Sequence, residues 1–111
     1  MLHEAPGNLR MARVVNWNEL EESSNTPGVT KRMLPGVGTT MVRVTIAGGV
    51  TGSKHSHPHE QFVQVIAGSG VLETEQGKRR FGAGDLFHFP ENAWHAASFE
   101  TETVLVETNL T

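Results

Sequence analysis

The sequence predicts an all-β domain, a sandwich or barrel of short strands. Three observations carry that expectation. The dominant hydrophobic period along the chain is two rather than 3.6. Glycines recur between the alternating runs, at Gly48-Gly49, Gly68-Ser69-Gly70, Gly77 and in "GAGD" from Gly82 to Asp85, where tight turns need positive φ. The length of 111 residues suits one domain with a modest core.

Taken in order, the opening "MLHEAPGNLRMA" has no long apolar run and carries Glu4. It is read as a mobile arm rather than a signal peptide. Residues 1–25 comprise this arm and a short helical or strand segment, in which only "NWNELEES" has helical character; residues 26–111 form the barrel. "KRML", before Pro35-Gly36, is an early strand. "MVRVTIA" puts Val42, Val44 and Ile46 on one face and Arg43 and Thr45 on the other. "QFVQVIA" alternates less cleanly, with Val63 and Val65 opposite Phe62, Gln64 and Ile66, which predicts a strand partly covered on both sides. "VLETE", a "QGK" turn, "RRF", "LFHF", "WHAASF" and "TVLVET" complete the series.

Composition narrows the function classes. The formal net charge of -3 is scattered, and Lys78-Arg79-Arg80 is the one basic cluster, so neither nucleic acid nor an anionic membrane is an expected partner. No segment has the length of an apolar membrane span. The absence of cysteine removes disulfides, thiolate metal sites and a cysteine nucleophile. A cytoplasmic location is the default expectation.

The chemistry concentrates in "GGVTGSKHSHPHEQFVQVIAGSG", Gly48 to Gly70. On a strand, His55 and His57 point the same way, and neutral imidazole is the commonest side-chain metal ligand. Two imidazoles need further donors from elsewhere. Gln61 offers an amide oxygen; Glu60 would bind more strongly, but alternation groups Gln61 with Val63 and Val65 and turns Glu60 away. His95, after the turn at Pro90, is the expected fourth ligand, with His88 competing and His3 discounted as part of the arm. The alternative is an exposed polar loop that binds metal only adventitiously.

These residues resemble the cupin family. Its first motif is Gly-x5-His-x-His-x3-4-Glu-x6-Gly, and Gly49, His55, His57, Gln61 and Gly68 occupy its positions, with Gln61 where Glu is usual. "GAGDLFHFPENAWH" is similar to the second motif, Gly82 replacing a proline, Phe99 standing where some members have Asn, and His95 falling on the fourth ligand position. The resemblance implies a cupin-type double-stranded β-helix, a jelly-roll barrel. It also implies one divalent transition metal ion (Mn, Fe, Ni or Zn) held by His55, His57, Gln61 and His95. "HSHPHEQ" and "PGVTKRML" look most like single-domain members that include the pectin-degradation protein, in which Gln is the third ligand. The chain departs from that subset after Glu107, where no arginine follows.

A neutral ligand set leaves the full charge on a divalent ion, which makes a stronger Lewis acid and a looser metal site than a Glu-containing one. The expected function is a metalloenzyme acting on a small oxygenated molecule, sugar-acid-like or dicarbonyl, by isomerase, lyase or ring-opening chemistry. A metal-dependent dioxygenase and a non-catalytic small-molecule-binding module are the alternatives. Candidate proton shuttles are His59, Glu60, Glu107 and His88, although a surface role is the commoner one for each. Phe62, Phe87, Phe89, Trp94 and Phe99 are expected to pack the core before lining a pocket, and Arg43 or Arg80 could reach a substrate carboxylate. Family analogy and small size point to a homodimer in which the N-terminal arm packs on the partner.

Overall fold

The computed structural model describes residues 11–111. A 3-10 turn at Trp17–Glu19 precedes ten strands: β1 Ser23–Thr26, β2 Val29–Pro35, β3 Thr39–Ile46, β4 Thr51–His55, β5 Gln61–Ala67, β6 Ser69–Thr74, β7 Gly77–Gly82, β8 Leu86–Phe89, β9 His95–Phe99 and β10 Thr103–Leu110. They form a six-stranded sheet in the order β1-β2-β3-β10-β5-β8 and a four-stranded sheet in the order β4-β9-β6-β7. Every pairing is antiparallel. Consecutive strands that cross between the sheets make this a jelly roll. No helix among the described residues is long and apolar enough to cross a membrane.

Alternation builds the interior. Val42, Val44 and Ile46 of β3, Val63 and Val65 of β5, Leu105 of β10 and Phe87 and Phe89 of β8 are buried against Phe81 and Phe99 of the smaller sheet. The rings of Phe81 and Phe87 meet edge to face at 5.2 Å, a favourable arrangement of their quadrupoles. The register then divides the interior lengthwise. Ile46, Thr103 and Leu105 share one end with Phe99, while Gln61, Glu107, Asn109 and Phe89 meet at the other. The apolar end is the core, and the polar end positions the site.

The short helical character of "NWNELEES" resolves into the 3-10 turn, capped by Asn16 and Glu19 in a reciprocal box. Strand β1 falls in a polar, fully exposed segment and has no apolar alternation to announce it. The β6–β7 turn lies one residue earlier than "QGK": Thr74 faces Gly77 across a two-residue hairpin. The motif glycines Gly49 and Gly68 take φ +90 and +99, a region that L side chains disfavour. At Gly68 a Cβ would also press on the Thr103 side chain and the Glu102 carbonyl.

One expectation is corrected. The second face of β5 is not covered among the described residues: Phe62 and Ile66 are 45% and 46% exposed. They stand on the outer face of the larger sheet, whose opposite face already holds the core. Phe62 therefore belongs neither to the core nor to an internal pocket.

Candidate metal centre

Two devices bring the histidines together. In the β4–β9 pairing His55 lies directly opposite His95, after a bulge between Gly52 and His55. The loop after β4 is tied to the turn before β9: the Asn92 backbone N–H donates to the His57 carbonyl at 2.7 Å. Asn92 itself has φ 64, a left-handed conformation in which asparagine is enriched. One ring nitrogen each of His55, His57 and His95 then lies within 4.8 Å of the other two, a grouping that could hold a metal ion. The ring centroids of His55 and His95 are 4.3 Å apart, and those of His55 and His57 5.0 Å apart.

Local chemistry suits neutral donors. His55 Nδ1 lies 2.8 Å from the Ser53 carbonyl, which can only accept, so Nδ1 is the donor there and Nε2 is the nitrogen available to a ligand. His95 is buried and stacked on Phe89 at 3.8 Å, and its Nδ1 makes no hydrogen bond of good geometry, its approach to the Ala93 backbone being a weak one. Burial, reinforced by the nearby His55 and His57, lowers its pKa to about 4, against a weaker opposing pull from the Ala93 backbone. Burial first, then His55, His59 and Lys31, also lowers that of His57. Both imidazoles thus stay unprotonated near neutral pH, the form that ligates. Three close imidazoles, two of them held neutral by burial, make a donor set that fits a divalent transition metal.

The remaining predicted residues fall into two groups. Gln61 is buried, and its Nε2 donates to Asn109 Oδ1 at 2.8 Å. Glu107 shares the inward face of β10 with Leu105 and Asn109. Burial raises its carboxyl above the usual range, while Lys31, an Asn109 hydrogen bond, His55 and His59 pull it back. His59 stacks beside His57 at 5.1 Å, with a buried Nε2 that has no partner. Glu60 and His88 are placed elsewhere. They pair with each other at 2.6 Å, and His88 stacks on the outward Phe62 at 4.7 Å. Alternation explains the correction: Glu60 and Phe62 flank Gln61 and point the other way. On that face both stand apart from the clustered histidines.

Arg43 lies on the outer side of β3 with Met41 and Thr45, and Arg80 donates to Glu100 at 2.8 Å on the surface. Phe87, Phe89 and Phe99 are core residues, and Trp94 is partly exposed beneath the Lys54 ammonium at 3.9 Å. His3 lies outside the described residues. Sequence reasoning passed over Lys31 and Asn109. Lys31 pairs with the inward Val44, so it stands on the same face as the site. Both carried a readable signal, namely the same parity as Val29 on β2 and as Leu105 and Glu107 on β10. A groove of about 730 Å³ runs between the edges of β7 and β8, lined by Arg79, Phe81, Phe87 and Trp94 among others, but none of the three clustered histidines borders it.

Comparison with known proteins follows the same line. The cupin domain family matches residues 42–108, and the chain belongs to it. Among solved structures, an RmlC-like cupin from Shewanella frigidimarina is 23% identical, with a TM-score of 0.82 over 90% of this chain and 91% of that one. KdgF from Halomonas sp. is 26% identical, with a TM-score of 0.75 over 85% of this chain and 91% of that one. Ectoine synthase from P. lautus is 17% identical, with a TM-score of 0.79 over 89% and 78%; at that identity the likeness is one of fold. A search of curated proteins finds no match.

Proposed function

We propose that this cupin is a divalent-metal-dependent enzyme that moves a proton on a small oxygenated substrate, by isomerase, lyase or ring-opening chemistry. One observation carries the proposal: Glu107 is an inward carboxyl held above its usual pKa beside the imidazoles. A binding module needs a ligand cage and no such acid. A shuttle near neutral pH needs a carboxyl tuned upward by burial.

In this reading His55, His57, His95 and the Gln61 amide hold the ion. When bound, the ion supplies Lewis acidity toward a carbonyl or hydroxyl oxygen. The chain's own residues do the rest. Glu107 gives or takes the proton at its carboxyl oxygen. Lys31, whose charge reaches both Glu107 and His57, attracts an acidic group of the substrate to the rim, which supports a sugar-acid-like molecule over a neutral one. His59, with its unpartnered Nε2, offers a second proton-handling group.

The deciding experiment is elemental analysis of purified protein beside a His57→Ala variant, followed by isomerase and lyase screens of small sugar acids. About one equivalent of a single transition metal, lost in the variant, is expected. Metal-dependent turnover that falls roughly 10²–10⁴-fold in Glu107→Gln, with metal content unchanged, establishes the shuttle. Iron-dependent oxygen uptake without isomerase or lyase activity would replace the reading with a dioxygenase. Full activity of Glu107→Gln would sink the role of Glu107.

The proposal includes a homodimer. Met41, Phe62 and Leu86 are 38%, 45% and 74% exposed on the outer face of the larger sheet, where a second copy would cover them.

A further inference from the structure

A glutamine ligand has a problem that a glutamate does not: its two ends are nearly the same size, and only the oxygen can bind a cation. Something must decide which end turns toward the imidazoles. The buried Gln61 is settled by its hydrogen bond to Asn109 and by the acidic group beside Asn109 on the same strand. Glu107 ionised can only accept, and protonated it still keeps an accepting oxygen. Asn109 stands two residues beyond Glu107 on the same face of β10, and its amide favours the ionised carboxyl, an attraction that draws the positive NH2 end of Asn109 toward Glu107. Asn109 Oδ1 is thereby turned toward β5, where its register partner is Gln61. An oxygen there can take only a donor, and Gln61 Nε2 meets it at 2.8 Å. The Gln61 oxygen is left free of Asn109.

We propose that Asn109 is a positioning residue for the centre: by holding the nitrogen of the Gln61 amide it presents the Gln61 oxygen as the fourth donor. This rests on the metal reading above. It assigns to β10 a double duty, with Glu107 and Asn109 joined on one face, so that the proposed shuttle and the fourth ligand are held by a single strand. A partner of this kind fixes a ligand's orientation, and its loss typically costs 10–100-fold in metal affinity.

The test is cobalt(II) titration of metal-free protein, read by calorimetry and by the visible ligand-field spectrum. Wild type, His57→Ala, Gln61→Ala, Asn109→Ala, Asn109→Asp and the double variant Gln61→Ala/Asn109→Ala are compared. Asn109→Ala is expected to weaken cobalt binding about 10–100-fold with an altered spectrum. Asn109→Asp keeps an accepting oxygen toward Gln61 and is expected to bind at least within about threefold of wild type, which covers the case in which the alanine variant folds poorly. In the Gln61→Ala background, removing Asn109 is expected to change affinity by less than about twofold, because its route to the metal has gone. Asn109→Ala binding like wild type, or equal further loss in the double variant, overturns the assignment while leaving the metal reading intact. His57→Ala binding as tightly as wild type overturns the metal reading itself.

Discussion

Gln61 faces the interior between Phe89 on one side and Asn109 on the other, and in the proposed ligand set it is the neutral member where a carboxylate could stand. Replacing it by glutamate adds a negative ligand. Gln61→Glu is expected to tighten a divalent ion by at least about tenfold and to lower its Lewis acidity, seen as tighter titration with slower turnover. Unchanged affinity would count against Gln61 as a ligand. Protonation gives a second handle at this scale. His95 titrates at about 4 in the folded chain against 6.5 ordinarily, so the folded state binds fewer protons between those values. Stability of the metal-free protein conferred by neutral His95 is therefore full above about pH 6.5 and is lost as pH falls toward 4. Glu107 has the opposite sign: its raised pKa makes folding more favourable as pH falls. Denaturant midpoints measured across pH 4 to 7 in wild type, His95→Gln and Glu107→Gln separate the two. The glutamine at 95 should flatten the acid-side loss, and the glutamine at 107 should steepen it.

At the scale of elements, the turns do the positioning. The β8–β9 turn delivers His95 opposite His55, and it depends on Asn92 in a left-handed conformation bonded to the His57 carbonyl. Asn92→Val imposes a β-branched side chain where φ is positive and should cost on the order of 1–3 kcal/mol, together with weakened metal binding. Asn92→Gly should lose neither. The β5–β6 turn is stricter, because Gly68 combines φ +99 with backbone and Thr103 atoms where a Cβ would lie. Gly68→Ala is expected to destabilise by roughly 2–4 kcal/mol in a denaturant melt. The alternating strands were legible from composition and parity, since one buried face needs period two. Strand β1 was not, because all of its residues are exposed and polar.

The whole molecule is two sheets with an apolar end, a polar end and an exposed outer face. That outer face carries Phe62 stacked on His88, with Leu86 beside them on β8. Light scattering of wild type should give twice the chain mass, and Phe62→Asp combined with Leu86→Lys should give a monomer that still binds metal. A monomeric wild type would leave the face without a partner of its own kind.

The sequence by itself determined the fold class, the turn glycines, the "HSH" pair and the opposite faces of Gln61 and Glu60. All of these follow from local rules, in which parity assigns a face and glycine marks positive φ. The motif resemblance favoured His95 over His88, but only the tertiary structure showed how His95 reaches the pair. Both follow strand signals, and the register of β4 on β9 is a contact across 40 residues of chain that no local pattern encodes. The same holds for Glu60 and His88 closing on each other outside the barrel, and for Asn109 meeting Gln61. A side chain's face is written in its strand, but its partner is set by which strand folds up beside it.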